Sequence, residues 1–474
     1  MSFCARTIKI YYSFLKVMTE LTLLEKIVAL CKRRGFVFPS SEIYGGINGV
    51  WDYGPLGAEL KNNIKMSWWK AMTQLRTDVV GLDGSILMNR EVWKASSHEE
   101  QFADWFVDCK LCHARFRLDH LKESACPLHP SKHPGDCGGE LTEPRRFNLL
   151  FKTYVGPLEE ESTLTYLRPE TAQSIFVQFK NVLESSRMKI PFGIAQIGKA
   201  FRNEVNPRNF IFRSREFEQM ELEYFIPPDT GFQYIEEWKE QRILWYESIG
   251  IPRAHIHVRD VPEEERAFYS KKTYDLEYDF PFGRQELEGI AYRTDFDLKQ
   301  HATFSGKSLE YYDEERKCKY IPHVVEPSAG VDRTLLALLC EAYREEEVLG
   351  EKGEKEKRVV LGFSPRIAPI KVGIFPLLKN KIDIVSKAKE VFRLLQKHFK
   401  SFYDESGAIG RRYRRMDEIG TPFCVTIDFE TLEGVREGAL VGKKNTVTVR
   451  YRDSMRQDRV MIEELVDFLR EKIE

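Results

Sequence analysis

Phe201-Arg202-Asn203-Glu204 is followed, eight residues after Glu204, by Phe212-Arg213-Ser214-Arg215-Glu216-Phe217. Read as one hairpin, this stretch sets phosphate chemistry beside base chemistry. Arg202 offers a planar fork of donors that suits a phosphate, a shape a lysine cannot reproduce. Phe217 presents a flat ring on which a purine can stack, and Glu204 an acceptor for an exocyclic amine. A segment that holds a phosphate, reads a base edge and stacks the base is a nucleotide site. The plainer reading is an ion-paired antiparallel hairpin. Two common phosphate cradles are excluded, because neither G-x-x-x-x-G-K-[ST] nor G-x-G-x-x-G occurs in the chain.

Other chemistry-bearing segments surround this hairpin. Ile43-Tyr44-Gly45-Gly46 and Asp52-Tyr53-Gly54-Pro55-Leu56-Gly57 lie upstream. They lead into a helix whose Leu56, Leu60, Ile64, Trp68 and Met72 fall on one stripe, with Pro55 suited to its first turn. Next come Leu167-Arg168-Pro169-Glu170-Thr171-Ala172-Gln173 and, after the hairpin, Gln219-Met220-Glu221. Glu286-Leu287-Glu288-Gly289-Ile290-Ala291 and Arg293-Thr294-Asp295-Phe296-Asp297-Leu298 follow. Val325-Glu326-Pro327-Ser328-Ala329-Gly330-Val331-Asp332-Arg333 then runs into an apolar helix through Leu339. A cation at a helix N-terminus is disfavoured by the dipole, so a bound polyphosphate explains Arg333 better than a pairing with Asp332.

The elements that must position these residues divide the chain. At 474 residues, about two to four domains are expected. A net charge of −1 on a chain with 31% charged residues gives no global basic field, so nucleic-acid contacts must be local. No apolar run reaches the roughly 18 residues of a membrane span. Residues 1–20 read as an N-terminal extension. Its first 17 residues, basic and free of acids, have the composition of a targeting segment, but a start at Met18 is favoured. Residues 21–345 carry the motifs, 346–364 read as a solvated charged connection, and 365–474 as a compact α/β domain with a mixed or parallel sheet. Within 105–145, Cys109, Cys112, Cys126 and Cys137 have Cys₄ spacing for structural zinc, with His113, His129 and His133 as substitutes and free thiols as the alternative. Gly410-Arg411-Arg412-Tyr413-Arg414-Arg415 pairs basic groups with a stackable ring, as unpaired RNA bases require; a solvated turn is the competing reading.

Taken together, the segments resemble the class II aminoacyl-tRNA synthetases. The hairpin is similar to their motif 2, the helix after Pro55 to motif 1 and the Arg333 segment to motif 3. The run Y-G-G…D-Y-G-P-L-G-x-E-L-K-N-N resembles the dimeric type of glycyl-tRNA synthetase, and the likeness extends from about residue 21 to 474. This resemblance implies an α+β catalytic domain built on an antiparallel sheet, a small zinc-ribbon-like insertion and a C-terminal α/β anticodon-binding domain. It implies ATP, glycine and tRNA(Gly) as partners, a cytoplasmic homodimer joined through the motif 1 helix, Mg²⁺ and structural Zn²⁺. It assigns ATP to Arg202, Asn203, Glu204, Phe212, Arg213, Phe217, Glu286, Leu287, Gly330 and Arg333, with Arg202 and Arg333 catalytic. Glycine falls to Arg117, Glu170, Glu221, Arg293, Glu326 and Ser328, and Mg²⁺ to Glu286 and Glu326. A non-catalytic homologue with the same fold, or a ligase for another amino acid, are the alternatives; intact Arg202, Glu204, Phe217 and Arg333 argue against the first, the glycine-pocket segments against the second.

Overall fold

Long runs of alternating polar and apolar residues between 192 and 330 make the central sheet. Its strands are β1 (Val79–Gly81), β2 (Phe192–Phe201), β3 (Glu216–Ile226), β4 (Ile256–Asp260), β5 (Lys272–Phe280), β6 (Gly283–Thr294) and β7 (His323–Gly330). They lie in the order β4–β5–β6–β7–β3–β2–β1, antiparallel throughout except for β1 with β2. The computed structural model describes residues 21–118, 121–122, 124–349 and 355–473. The extension read over residues 1–20 lies outside them.

The pleat sends successive side chains to opposite faces. Met220, Leu222, Tyr224 and Ile226 of β3 enter the main core with Ile290 and Tyr292 of β6 and Val325 and Ala329 of β7. Helices α1 (Leu23–Arg34), α2 (Pro55–Trp69), α3 (Ala172–Ser186), α4 (Gly231–Ile249), α5 (Phe296–Ser305) and α6 (Val331–Ala342) divide between the faces. Residues of α1, α2, α4 and α6 pack into the main core. Helices α3 and α5 cover one end of the other face, through Ile175, Phe176, Phe179 and Leu298 against Phe192, Ile194, Phe225 and Val324.

Helix α2 begins with Pro55 at its first turn and Gly54 as its N-cap. Its stripe is a core stripe: Leu60, Ile64, Trp68 and Met72 are buried, Met72 in a π-turn that extends the helix over Lys70–Gln74. Gly57 permits a close approach, since a Cβ there would sit 1.9 Å from the Phe36 carbonyl oxygen.

The stretch read as a solvated connection is instead paired. Tyr343–Leu349 and Lys355–Leu361 form an antiparallel hairpin in which Glu346 faces Arg358 and Glu347 faces Lys357. Opposite charges set across a strand pair stabilise pairing, so the charge run that suggested solvation carries a strand code as well.

The C-terminal sheet consists of β8 (Val372–Pro376), β9 (Ser401–Tyr403), β10 (Phe423–Ile427), β11 (Thr446–Tyr451) and β12 (Gln457–Met461). Their order is β9–β8–β10–β11–β12, with β8 parallel to β9 and β10 and the remaining pairs antiparallel. Helices α7 (Ile382–Leu395), α8 (Ile409–Glu418) and α9 (Leu465–Ile473) accompany it. The basic run 411–415 lies on α8, with Arg412 buried, Tyr413, Arg414 and Arg415 half-buried and Arg411 exposed. Arg412 is buried and donates to the Pro376 carbonyl at 2.6 Å, Arg414 pairs with Glu356, and Arg415 pairs with Asp404 at 2.5 Å. Tyr413 bonds Thr426 at 2.6 Å. These contacts tie four of the five residues into the surrounding structure, and the run is helical, which corrects the competing reading of a solvated turn.

Candidate functional site

Beyond the end covered by α3 and α5, the sheet face opens into a cavity of about 410 Å³. Its floor is laid by strand alternation. Phe217, Gln219 and Glu221 rise from β3, Gly289, Ala291 and Arg293 from β6, and Glu326, Ser328 and Gly330 from β7. Register makes them neighbours: Glu221 faces Ser328, Gln219 faces Gly330, and Ala291 faces Glu326.

One end of the cavity is cationic. Arg202, just past β2, donates from Nε to the Pro169 carbonyl at 3.0 Å and lies between the rings of Phe102 (5.3 Å) and Phe217 (5.4 Å). Arg333, in the first turn of α6, lies 4.4 Å over the Phe212 ring and donates to the Glu286 carbonyl at 3.0 Å. Asp332 does not hold it; that carboxylate accepts from Lys61 at 2.8 Å, from Tyr53 and from the Glu218 amide. Arg213 sits 3.9 Å from Glu204. Burial, together with the nearby Arg117, Arg208 and Arg333, pushes its pKa down against the pull of Glu204. Cations crowded into one corner with so few anions suit a polyphosphate.

The other end is acidic and tightly bonded. Glu221 accepts from Ser328 Oγ at 2.8 Å and from Thr171 Oγ1. Arg293 grips Asp297 through two hydrogen bonds of 2.8 Å, donates to Glu326 at 2.9 Å and lies 3.9 Å over the Tyr269 ring. Glu170 accepts from Gln173 at 3.0 Å and faces His98 Nε2 at 3.3 Å. Burial would raise Glu170, but His98, Arg293 and Gln173 hold it well below the usual carboxylate range. Burial and the nearby Glu170 push Glu221 the other way, upward. His301, bonded to Gln173 at 2.8 Å, is pushed down to about 4 by burial and stands neutral. Fixed carboxylates at one end and guanidinium groups at the other can hold a molecule with an ammonium near a polyphosphate.

Most residues singled out from sequence therefore converge on one cavity, but three placements differ. Asn203 does not line it; its amide donates to the Leu149 carbonyl at 2.7 Å. Arg117 stands outside the lining, on the three-stranded sheet of Ala103–Asp108, Arg115–Arg117 and Arg145–Asn148, 3.3 Å from Asp104. The two Mg²⁺ candidates differ in setting. The Glu286 backbone precedes by five residues the Ala291 that faces Glu326, roughly 17 Å along the strands. Glu326 is also nearly buried and taken by Arg293, which leaves half-exposed Glu286, 3.3 Å from Arg333, as the carboxylate at the phosphate end.

Sequence reasoning missed several contributors. Glu223 lies two residues beyond Glu221, so the strand period carried a signal for it. Asp297, in the first turn of α5, follows Arg293 of β6 by four residues. His98, Tyr269 and the lining segment between Arg259 and Ser270 reach the site through tertiary packing alone, which no local pattern announces.

The four cysteines of the insertion do come together. Cys112 and Cys137 each interact with both Cys109 and Cys126, and the amides of Ala114, Gly135 and Gly139 bond the sulfurs. A Cβ at Gly139 would sit 2.4 Å from Cys109 Sγ, so glycine lets the second loop close on the thiols. Four sulfurs supported by amide donors suit Zn²⁺. His133, one of the substitutes, bonds the Ser124 carbonyl instead, at 3.1 Å.

Comparison with known proteins gives two family matches. Residues 151–342 match the tRNA synthetase class II core domain (G, H, P, S and T), and residues 371–472 match the anticodon binding domain. The glycine–tRNA ligase of Treponema denticola is 51% identical over 456 residues, covering 95% of this chain and 97% of its own. That of Thermobifida fusca is 51% identical over 463 residues (95% and 98%), and that of Cutibacterium acnes 49% identical over 465 residues (95% and 96%).

Proposed function

We infer that this chain, which belongs to the glycine–tRNA ligase family of class II synthetases, activates glycine with ATP, releases pyrophosphate, and transfers glycine to the 3′ end of tRNA(Gly). The observation that carries this is identity of about half the residues over 95% of the chain to ligases of that name. The two-ended cavity accords with it.

In the first step a glycine carboxylate oxygen attacks the α-phosphorus of ATP and the bond to the β-phosphate oxygen breaks, so pyrophosphate leaves. The terminal ribose hydroxyl of the tRNA then attacks the adenylate carbonyl, and AMP leaves. Neither step requires a protein nucleophile; positioning and charge neutralisation suffice. We assign Arg202 to the α-phosphate, Arg213 and Arg333 to the outer phosphates, and Phe217 and Glu204 to the adenine ring and its exocyclic amine. Phe212, Leu287 and Gly330 complete the nucleotide wall. Glu286 would hold Mg²⁺, which would supply charge neutralisation for the leaving pyrophosphate.

Glycine falls to the acidic end, its ammonium among Glu170, Glu221 and Glu326, with Ser328 and Arg293 closing the wall. Discrimination then follows from rigidity. Each of these side chains is tied to a partner, so none can swing aside for an added methyl group. Arg117 acts from outside, adding positive charge toward Arg213. The insertion takes Zn²⁺ on Cys109, Cys112, Cys126 and Cys137 as a structural ion. Exposed Ile43, Tyr44, Ile47, Met66 and Leu75, on and around the α2 segment, support a homodimer through that face. The C-terminal domain serves tRNA recognition. The cysteines among the described residues form no disulfide, which suits a reducing, cytoplasmic setting, and no helix among the described residues is long and apolar enough to cross a membrane.

The test is exchange of pyrophosphate into ATP with glycine, alanine and serine. Exchange with glycine alone is expected. No exchange from folded protein supplied with Mg²⁺ and Zn²⁺ would overturn the assignment in favour of a catalytically silent homologue.

A further inference from the structure

Glu223 is a fully buried carboxyl beneath the amino-acid end of the cavity, and neither of its oxygens has a hydrogen-bond partner among the described residues. The pairings Glu221 with Ser328 and Tyr224 with Val325 set it directly across from Glu326. Carboxylate oxygens of Glu221, Glu223 and Glu326 lie within 4.8 Å of one another. Among the described residues Arg293, on β6, is the one cation bonded into this group, and it is already shared between Glu326 and Asp297 of α5. Two carboxylates opposed across a strand pair repel, and a buried ionised carboxylate with no donor is strongly disfavoured by its lost hydration. A protonated carboxyl escapes both penalties and gains what the site lacks, an O–H donor beside Glu326.

We propose that Glu223 is a positioning residue of the amino-acid site: a neutral carboxylic acid that donates its O–H to the Glu326 carboxylate and fixes that carboxylate for the glycine ammonium. Glu326 is then gripped from two sides, by Arg293 and by Glu223, and can neither rotate away nor sink into the sheet. Burial and the facing Glu326 push Glu223 far above the ordinary carboxylate range, with Arg293 opposing and Glu221 and Asp297 adding to the rise. Burial raises Glu326 as well, to about 8, against the Arg293 bonded to it. Glu326 has that bonded cation and Glu223 has no donor among the described residues, so the geometry puts the shared proton on Glu223. Placing glycine's ammonium at Glu326 rests on the function proposed above; the neutral state of Glu223 does not.

The experiment compares wild type, Glu223→Gln and Glu223→Ala in glycine-dependent pyrophosphate exchange, with infrared difference spectra of wild type against Glu223→Gln. The amide of Gln reproduces the shape and the donor of a neutral acid. Glu223→Gln is expected to keep its KM for glycine within about threefold of wild type. Glu223→Ala is expected to raise that KM about tenfold to a hundredfold, the loss of one hydrogen bond to a charged group, with KM for ATP unchanged. The infrared difference is expected to contain a protonated-carboxyl C=O band. A Glu223→Gln enzyme as impaired as the alanine variant, or no such band, would overturn the proposal and point to an ionised Glu223 holding a cation. If Glu223→Ala does not fold, Glu223→Gln and the spectrum decide. If wild type fails to exchange with glycine, the assigned function falls, while the infrared band still judges Glu223.

Discussion

Replacing Arg202 with alanine and with lysine separates charge from shape at the phosphate end. Arg202 is held in place before any ligand arrives, by the Pro169 carbonyl and by rings on either side. A preorganised donor aimed at developing charge is worth about 2.7–4 kcal/mol, so Arg202→Ala is expected to lower kcat of glycine-dependent pyrophosphate exchange roughly 10²–10³-fold. Lysine keeps the charge but loses the second donor and the planar stack. Those are worth about 1–2 kcal/mol, a fall of roughly 5–30-fold. The assay is exchange at saturating glycine with ATP varied, alongside thermal melting. The site opens to solvent, so removing one side chain should move Tm by no more than a few degrees, about 1 kcal/mol of stability. Alanine retaining more than about a tenth of wild-type activity, or lysine matching wild type, would refute the assignment of Arg202 to transition-state charge. A large fall in Tm would instead trace the loss to folding.

Three further outcomes are expected. Glu288→Ala leaves Arg242 buried without its partner, now 2.6 Å away; this should cost about 3–5 kcal/mol in chemical denaturation, and a loss under 1 kcal/mol would show that trapped water satisfies Arg242. Burial raises Glu326 to about 8 against the opposing Arg293. Protons should therefore compete with glycine there, and KM for glycine should fall as pH rises from about 6.5 to about 8.5; a flat profile would remove Glu326 from ammonium binding. Cys126→Ser should lower the zinc content of purified protein by about one equivalent per chain, measured by atomic emission; unchanged zinc would place the metal elsewhere.

The hairpin at Arg202 and Phe217 was legible because strands alternate and turns break the pattern, and the α2 stripe was legible because its period is helical. Arg333 could be read as an anion contact since a cation there opposes the helix dipole. Which member of the run at 411–415 turns inward was not legible from composition, which does not say which way side chains turn. A helical period places Arg412 with buried Met416 and so could have warned of it. The different settings of the two Mg²⁺ candidates, Glu286 and Glu326, were hidden for another reason. Each residue lies in a conspicuous acidic motif, but their separation is set by the β6–β7 register, which pairs residues far apart in sequence. His98 and Tyr269 were beyond reach on similar grounds, being delivered by packing.

The central sheet also imposes a rule of parity on its own sequence. Along β3 the odd-numbered Phe217, Gln219 and Glu221 meet the cavity, whereas the even-numbered Glu218, Met220 and Leu222 meet Lys61 and the main core. Strands β6 and β7 keep the same segregation, with Arg293 and Ser328 turned to the cavity and Ile290 and Val325 to the core. Catalytic and structural demands are thereby written on interleaved, nearly independent positions. Substitution at one set should change turnover with little effect on melting, and at the other the reverse. Insertion of a single residue within β3 would exchange the two sets at once. Length changes in this chain are therefore admissible in the connections between strands, where the cysteine-bearing segment 105–145 already stands, and not within the strands themselves.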